Sequence, residues 1–374
     1  MNFDFSDDQK MLRDQARKFL SERCTTKVVR SVFEAAHGYD RELWKQIAEM
    51  GWLGTVIPET YGGLGLGYLE LCVIAEELGR AVAPVPFSSS VYLATEAILL
   101  AGSNEQKSKY LPKLASGEII GTFAFAEGAQ PPTPKTVTTT LRAGKLDGKK
   151  LPVPDGDIAD FAVVVAKSAD GGDRSLSLAL VDLKAQGVTR TPVKTLDPSR
   201  SHAEMKFSGA TADALGGQGE GWQLTQRILD RAAILMAFEQ LGGADVCLEM
   251  AKDYALNRYA FGRKIGSFQA IKHKLADMYV GNELARSNSY FGAWALSTNA
   301  AELPEAAASA RISATDAFHF ASKENIQTHG GMGFTWELDC HLYYRRAKLL
   351  GLALGASRGW KDRLVTYLET RNVA

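Results

Sequence analysis

The chain has 374 residues, and its 43 Lys and Arg residues balance 43 Asp and Glu residues, so the formal net charge is zero. Apolar residues make up 45% and charged residues 23%, which is typical of a soluble globular protein of two or three domains. Zero net charge argues against nucleic acid or another polyanion as the main partner, because phosphate binding requires clustered Lys and Arg, and it favours self-association.

The first 120 residues are predicted to be helical. Ser6 and Gln9 have the spacing of a capping box, and apolar residues then recur every three or four positions. Further helices are predicted at 42–50 and 69–79. The segment 57–65 between them is rich in glycine and is predicted to be a tight turn that lets helices pack closely.

The pattern changes to strands near residue 121. Segments 121–127 and 175–180 alternate apolar and small or polar residues, and 161–166 is a short apolar run. Asp147-Gly148 is a hairpin-turn signal. We predict an antiparallel β-domain of about seven short strands, closed into a barrel or sandwich.

Long helical segments return after a glycine-rich loop at 216–221. They cover 222–259, 270–296, 306–327 and 342–370, well above the mean helix length, and predict a four-helix bundle.

The predicted fold is therefore multi-domain α+β. A helical N-terminal domain occupies 1–120, an antiparallel β-barrel domain 121–213, and a C-terminal four-helix bundle 214–374.

Several kinds of site are excluded by motif. The four cysteines contain no CxxC pair, and we expect buried, reduced thiols. There is no Walker loop or HExxH motif, the six histidines are scattered, and no metal site is predicted. The acidic start lacks the apolar core of a signal peptide, and no stretch reaches the ~18 apolar residues of a membrane span, so we expect a cytoplasmic protein.

Two segments of the predicted C-terminal helix bundle contain residue types that bind anions and aromatic rings. One runs from Arg258 to Gln269 and includes an aromatic–glycine break at Phe261-Gly262; the other runs from Gln327 to Thr335 and contains Gly330-Gly331. A guanidinium and exposed backbone N–H groups suit a diphosphate. An Arg salt bridge with a glycine helix cap is the alternative reading of either segment alone.

Together with the predicted order of a helical domain, a β-domain and a helix bundle, these motifs make the chain resemble the acyl-CoA dehydrogenase family over almost its whole length. The matching segments are Ile57-Pro58-Glu59-Thr60-Tyr61-Gly62-Gly63, Glu76-Glu77-Leu78-Gly79-Arg80, Leu111 to Glu118, Arg258 to Gln269, Leu275 to Met278 and Gln327 to Gly331.

The resemblance implies that the cofactor is FAD and that six residues hold its adenine and pyrophosphate half across an oligomer interface. These residues are Arg258, Phe261, Gln269, Gln327, Gly330 and Gly331. It also implies an acyl-CoA substrate, an acceptor similar to electron-transfer flavoprotein, and a homo- or hetero-tetramer.

The chain departs from the family where a carboxylate base is expected. The two usual positions of the base fall on Leu354, which follows Arg345-Arg346-Ala347-Lys348, and on Ala232. The family segments that meet the flavin ring and the thioester chain align with Leu151-Pro152-Val153 and Glu127 to Pro131, which lack the expected hydroxyl groups. Glycines at 351, 355 and 359 are predicted to form a ridge for close helix packing.

These changes lead to a hypothesis with two alternatives. The chain is expected to be the base-lacking subunit of a heteromeric dehydrogenase, paired with a paralogue that carries the base. The first alternative is a homomeric dehydrogenase whose base has moved to Glu239. The second is a flavin-free scaffold or regulatory subunit, which the retained Arg258 and Gln327 motifs disfavour.

Overall fold

The structure is a computed structural model and describes residues 5–35, 38–168 and 176–373. The start of the acidic N-terminus and Ser175, the first residue of one predicted strand, lie outside the described residues.

Helices dominate both ends of the chain. They are α1 (Asp7–Arg23), α2 (Thr26–Glu34), α3 (Arg41–Glu49), α4 (Tyr68–Arg80), α5 (Glu96–Ala101), α6 (Asn104–Ala115), α7 (Gly221–Asn257), α8 (Gln269–Ser297), α9 (Leu303–His329), α10 (Cys340–Ala353) and α11 (Ser357–Val373). The capping box at the start of α1 is confirmed, with the side chains of Ser6 and Gln9 and their backbone N–H groups bonded reciprocally.

The strands lie between these groups of helices. They are β1 (Gly121–Ala124), β2 (Thr140–Arg142), β3 (Lys145–Pro154), β4 (Phe161–Ser168), β5 (Leu176–Asp182), β6 (Val188–Pro192) and β7 (His202–Leu215), followed by the short hairpin β8 (Tyr259–Ala260) and β9 (Arg263–Lys264).

The main sheet is mixed rather than antiparallel. Five strands close a ring in the order β2, β3, β7, β5 and β4, because β4 pairs with both β2 and β5. β1 and β2 run parallel to β4 along one of its edges, and β6 pairs with β7. The prediction of a purely antiparallel domain was wrong because apolar alternation fixes which face is buried, not strand direction.

The predicted hairpin turn at Asp147-Gly148 was also wrong. Both residues lie inside β3, beside a register shift, and Gly148 has φ +138°. The chain reverses instead at Ala143-Gly144, where φ is +49° and +70°. An Asp-Gly pair tolerates positive φ in a turn and in a bulge alike, so the dipeptide alone did not distinguish them.

The last predicted helix is two helices. α10 ends at Ala353, Gly355 adopts φ +94°, and α11 begins at Ser357. The predicted glycine ridge does not form a continuous helix contact among the described residues: a Cβ at Gly355 or Gly359 would meet nothing within 4 Å, and only one at Gly351 would meet α9, 3.5 Å from Thr315.

The described chain divides into two compact units. One contains α1, α4, α7 from Ala233 onward and α8–α11. Part of its core is built from small side chains, including Ala237, Ala285 and Ala310, which let α7, α8 and α9 approach closely. The other unit contains the β1–β7 sheet with α3, α5, α6 and the beginning of α7. The three-domain division at 120 and 213 stays a prediction.

An eight-residue π-helix, Ser88–Thr95, lies in the unit that contains the sheet, and all its residues are buried. Its three serines join it to the surrounding structure. Ser89 Oγ lies 2.6 Å from Asp155 Oδ2, and Ser88 Oγ accepts from Arg200 at 2.9 Å. Ser90 Oγ accepts from Gly121 N at 3.3 Å.

Three further expectations concern the described residues only. The four cysteines are buried and free of disulfides, as predicted. Among the described residues, no group of three or more His, Cys, Asp or Glu side chains is arranged to hold a metal ion. Within the same part of the chain, no helix has the length and apolar character needed to cross a membrane.

Candidate cofactor-binding and catalytic residues

The Arg258 segment forms an exposed hairpin at the end of α7. β8 and β9 pair through Tyr259 with Lys264 and Ala260 with Arg263. Phe261 and Gly262 form the turn, both at positive φ, and the Phe261 side chain is 95% exposed. Phe268 meets Phe261 edge to face, with 6.2 Å between ring centroids. The hairpin therefore presents an aromatic ring with an uncovered face.

The Gln327 segment forms the end of α9 and a tight turn after it. Gly330 has φ +61° and its N–H donates to Gln327 O, as in a glycine-capped helix. A Cβ built at Gly330 or Gly331 would meet nothing within 4 Å among the described residues. The backbone of this turn is therefore open to approach by a ligand or another chain.

The two segments belong to the same unit, and side chains next to them are in contact. Tyr254 lies one turn before Arg258 on α7, and His329 lies between Gln327 and Gly330. Their rings are 4.2 Å apart between centroids. Tyr254 and His329 were not identified from the sequence, although the four-residue spacing between Tyr254 and Arg258 was an available signal.

The residues present fit the adenine and diphosphate half of FAD. Arg258, Gln269 and Gln327 are exposed, and among the described residues none of the three side chains has a hydrogen-bond or ion-pair partner. A free guanidinium suits a diphosphate, and an exposed aromatic ring at Phe261 suits a nucleobase. The salt bridge required by the alternative reading of Arg258 is absent among these residues. The assignment of the six FAD-binding residues stays a prediction.

The two positions at which the family resemblance predicts the base hold buried apolar side chains. Leu354 is 5% exposed and Ala232 is fully buried. Neither side chain can accept a proton.

Glu239, the alternative base, lies in the interior of its unit. Its Oε1 is 3.5 Å from Nη1 of Arg346, and neither side chain is more than 1% exposed. Arg346 also donates to the carbonyl oxygens of Val82 and Ala83. The surroundings of Glu239 are those of a structural ion pair.

A second ion pair, between Lys150 and Glu127, lies where the sequence predicts the family's flavin-ring and thioester-chain segments. Lys150 Nζ is 2.8 Å from Glu127 Oε1, and Lys150 is fully buried. Burial lowers the pKa of Lys150 to about 8, partly offset by Glu127. Burial opposes ionisation of Glu127, but Lys150 and hydrogen bonds from Thr138 and Thr139 outweigh it and lower the pKa of Glu127 to about 2. Val153 nearby is fully buried and faces the core.

Comparison with known proteins identifies the family. Residues 6–118 match the family model described as acyl-CoA dehydrogenase, N-terminal domain, and residues 219–359 match acyl-CoA dehydrogenase, C-terminal domain. The acyl-CoA dehydrogenase IpdE2 of Mycobacterium tuberculosis (strain ATCC 25618 / H37Rv) is 34% identical over 342 residues, covering 91% of each chain. The chain belongs to the acyl-CoA dehydrogenase family.

Two solved structures of acyl-CoA dehydrogenase-like architecture are similar over nearly the whole chain. The ChsE4-ChsE5 complex from Mycobacterium tuberculosis matches with TM-score 0.89 and 28% identity, covering 99% of both chains. The Tcur3481-Tcur3483 steroid ACAD matches with TM-score 0.89 and 29% identity, covering 98% of this chain and 99% of that one. The resemblance inferred from the sequence is confirmed, and the protein is an FAD-dependent oxidoreductase of the acyl-CoA dehydrogenase family.

Proposed function

We propose that this acyl-CoA dehydrogenase is the base-lacking subunit of a heteromeric enzyme that converts an acyl-CoA thioester to the 2-enoyl-CoA. In this reaction a base would remove the α-proton, and FAD, when bound, would supply the two-electron acceptor for the β-hydride. The proposed partner is a paralogous subunit that carries the base.

The observation that carries the proposal is the contrast between the predicted FAD-binding residues and the predicted positions of the base. Arg258, Gln269 and Gln327 are exposed and have no side-chain partner among the residues that the structure describes, which suits residues that hold a cofactor shared with another subunit. Leu354 and Ala232, by contrast, are buried and apolar at the positions where the family places its base. A subunit that needs only to complete a neighbour's FAD site can lose its own base without losing this function.

The solved relatives support a heteromer. One similar structure is a complex of two differently named proteins, ChsE4 and ChsE5, and another carries the paired name Tcur3481-Tcur3483 and the word steroid. A steroid-derived acyl thioester is therefore the first substrate to test. The electron acceptor is proposed to resemble electron-transfer flavoprotein, and the assembly, a tetramer by family resemblance, is proposed to work in the cytoplasm.

Expression of the chain alone and with its candidate paralogue tests the proposal. The chain alone is expected to be colourless and inactive, and co-expression is expected to give a yellow complex that oxidises an acyl-CoA. A yellow, FAD-saturated and active protein from the single chain would contradict the proposal and support the homomeric alternative with Glu239 as base. A flavin-free co-purified complex would instead support the scaffold alternative.

A further inference from the structure

The two segments that carry the candidate FAD-binding residues are short and largely exposed, so few contacts within each segment fix its position. The β8–β9 hairpin contains two residues in each strand, and its turn residue Phe261 is almost fully exposed. Gly330 and Gly331 have open space where a side chain would be. Because a diphosphate and a ring must be held at a fixed spacing, the spacing has to be set by neighbouring structure.

An ion pair joins α8 to α9 close to both segments. Lys274 Nζ is 2.7 Å from Glu324 Oε2, with the side chains 22% and 11% exposed. Lys274 lies in the second turn of α8, five residues after Gln269, and Glu324 lies three residues before Gln327 on α9. The pair therefore connects the helix that follows the Arg258 hairpin to the helix that ends in the Gln327 turn.

A contact between the rings of Tyr254 and His329 joins the end of α7 to the end of α9. His329 is buried, its Nδ1 lies 2.9 Å from Asn325 O, and its ring packs against Tyr254. The backbone N–H of Arg258 donates to Tyr254 O at 2.8 Å. A displacement of the end of α9 would therefore be passed to the start of the hairpin through Tyr254.

We propose that these four residues, Tyr254, Lys274, Glu324 and His329, are positioning residues that set the distance between Arg258 and the Gln327–Gly331 turn. Tyr254 accepts the backbone N–H of Arg258, and His329 lies within the Gln327–Gly331 segment, whereas Lys274 and Glu324 join the helices that carry the two segments. We call them the brace. This inference rests on the proposed function, because it assumes that the two segments hold FAD together.

The brace predicts a loss of cofactor affinity that a purely structural ion pair would not cause. Replacing Lys274 by Met removes the cation that links α8 to α9, while its aliphatic bulk is kept. Lys323→Met is the matched control, because Lys323 also approaches Glu324, at 3.5 Å, but lies on α9 itself and is 63% exposed.

The test measures FAD binding and thermal unfolding of the assembled protein in which this chain is normally found. Flavin fluorescence gives the dissociation constant for FAD, and melting of the flavin-free assembly gives the structural effect. Lys274→Met is expected to weaken FAD binding by about tenfold or more, with a small change in the melting temperature of the flavin-free assembly. Lys323→Met is expected to leave both unchanged.

A charge exchange keeps the test informative if a single variant folds poorly. The double variant Lys274→Glu/Glu324→Lys restores an ion pair between α8 and α9 and is expected to recover most of the FAD affinity. Likewise, Tyr254→Phe keeps the ring against His329 and is expected to bind FAD normally, whereas Tyr254→Ala is not.

Arg258→Ala separates failure of the brace from failure of the proposed function. If Arg258→Ala loses FAD while Lys274→Met and Tyr254→Ala bind it normally, the brace is wrong, but the proposed binding of FAD by the Arg258 segment stands. If Arg258→Ala also binds FAD normally, that proposed binding is itself wrong. A lowered melting temperature with unchanged FAD affinity in Lys274→Met would show a structural pair only and would overturn the brace.

Discussion

Glu239 and Arg346 form an ion pair inside the molecule, with 3.5 Å between Oε1 and Nη1 and almost no exposure of either side chain. Arg346 also donates to the carbonyl oxygens of Val82 and Ala83, just after α4. The pair therefore ties α7 to α10 and to the end of α4. This arrangement separates the structural role of Glu239 from the catalytic role that a homomeric enzyme would require.

The first prediction follows from removing the negative charge of Glu239 beside Arg346. Glu239→Gln is expected to lower the free energy of unfolding by about 3–5 kcal/mol, because neutralising one partner of a buried ion pair is costly. Urea unfolding measures this loss. Glu249→Gln on the same helix is the control, because Glu249 is half exposed where it pairs with Arg80, and it is expected to cost much less. Loss of turnover at unchanged stability in Glu239→Gln would instead identify Glu239 as the base.

The second prediction concerns the acid stability of the β-domain. The pKa of Glu127 is about 2 in the folded protein and 4.5 in an ordinary Glu, so its ionised form stabilises the fold above pH 4.5. This contribution is lost as the pH falls from about 4.5 to about 2. Glu127→Gln is expected to lower the free energy of unfolding by about 2–3 kcal/mol at pH 7, allowing for partial exposure of Glu127. It is also expected to weaken the pH dependence of this free energy between pH 4.5 and 2.

Denaturant unfolding at a series of pH values measures this pH dependence. Glu204→Gln is the comparison: a hydrogen bond from Lys206 and the neighbouring Lys149 lower the pKa of Glu204 too, but both lysines are exposed, so this variant is expected to change the pH dependence much less. If the free energy of unfolding of Glu127→Gln depends on pH as strongly as that of the wild type below pH 4.5, the Lys150–Glu127 pair does not stabilise the fold through the ionised carboxylate.

The third prediction concerns the π-helix. Ser89 donates to Asp155 at 2.6 Å, and both side chains are buried. Ser89→Ala is expected to lower the free energy of unfolding by about 1–3 kcal/mol, because a buried carboxylate oxygen loses its donor. Ser108→Ala on the exposed face of α6 is the control and is expected to be neutral. Equal unfolding midpoints for the two variants would contradict the proposed importance of this bond.

The fourth prediction concerns the crossing of α4 and α7. A Cβ at Gly79 would collide with the backbone oxygen of Glu239, and one at Gly242 with that of Glu76. Gly79→Ala is therefore expected to destabilise the fold by about 3 kcal/mol or more. Gly281→Ala on α8 has open space and is expected to stabilise its helix by about 0.5–1 kcal/mol. Comparable stability of the two variants would show that the helices do not approach so closely.

Long helices and apolar strands could be predicted from the sequence because their signals are local. The capping box at Ser6, the runs that became α7, α8 and α9, and the tight turn around Gly63 depend on neighbours in the chain. Strand direction could not be predicted, because the parallel pairing of β1 with β4 depends on where a connection of more than thirty residues returns.

The candidate site shows the same limit. The residue types and glycines of the Arg258 and Gln327 segments drew attention to them, and the family resemblance then predicted that they bind FAD. The contacts that join them, Tyr254 with His329 and Lys274 with Glu324, are made between helices far apart in sequence. The ion pair of Glu239 with Arg346 was missed for the same reason, since an isolated Glu on a helix gives no sign of its partner.

The ratio of FAD to chains in the natural assembly tests the central claim most directly. Absorbance of released flavin, with protein quantified separately for each subunit, gives this ratio without assuming a substrate. If the chain completes FAD sites with a base-bearing paralogue and lacks a site of its own, the purified assembly contains both subunits and fewer FAD molecules than chains. An assembly of this chain alone, with one FAD per chain and acyl-CoA oxidation, would contradict the account.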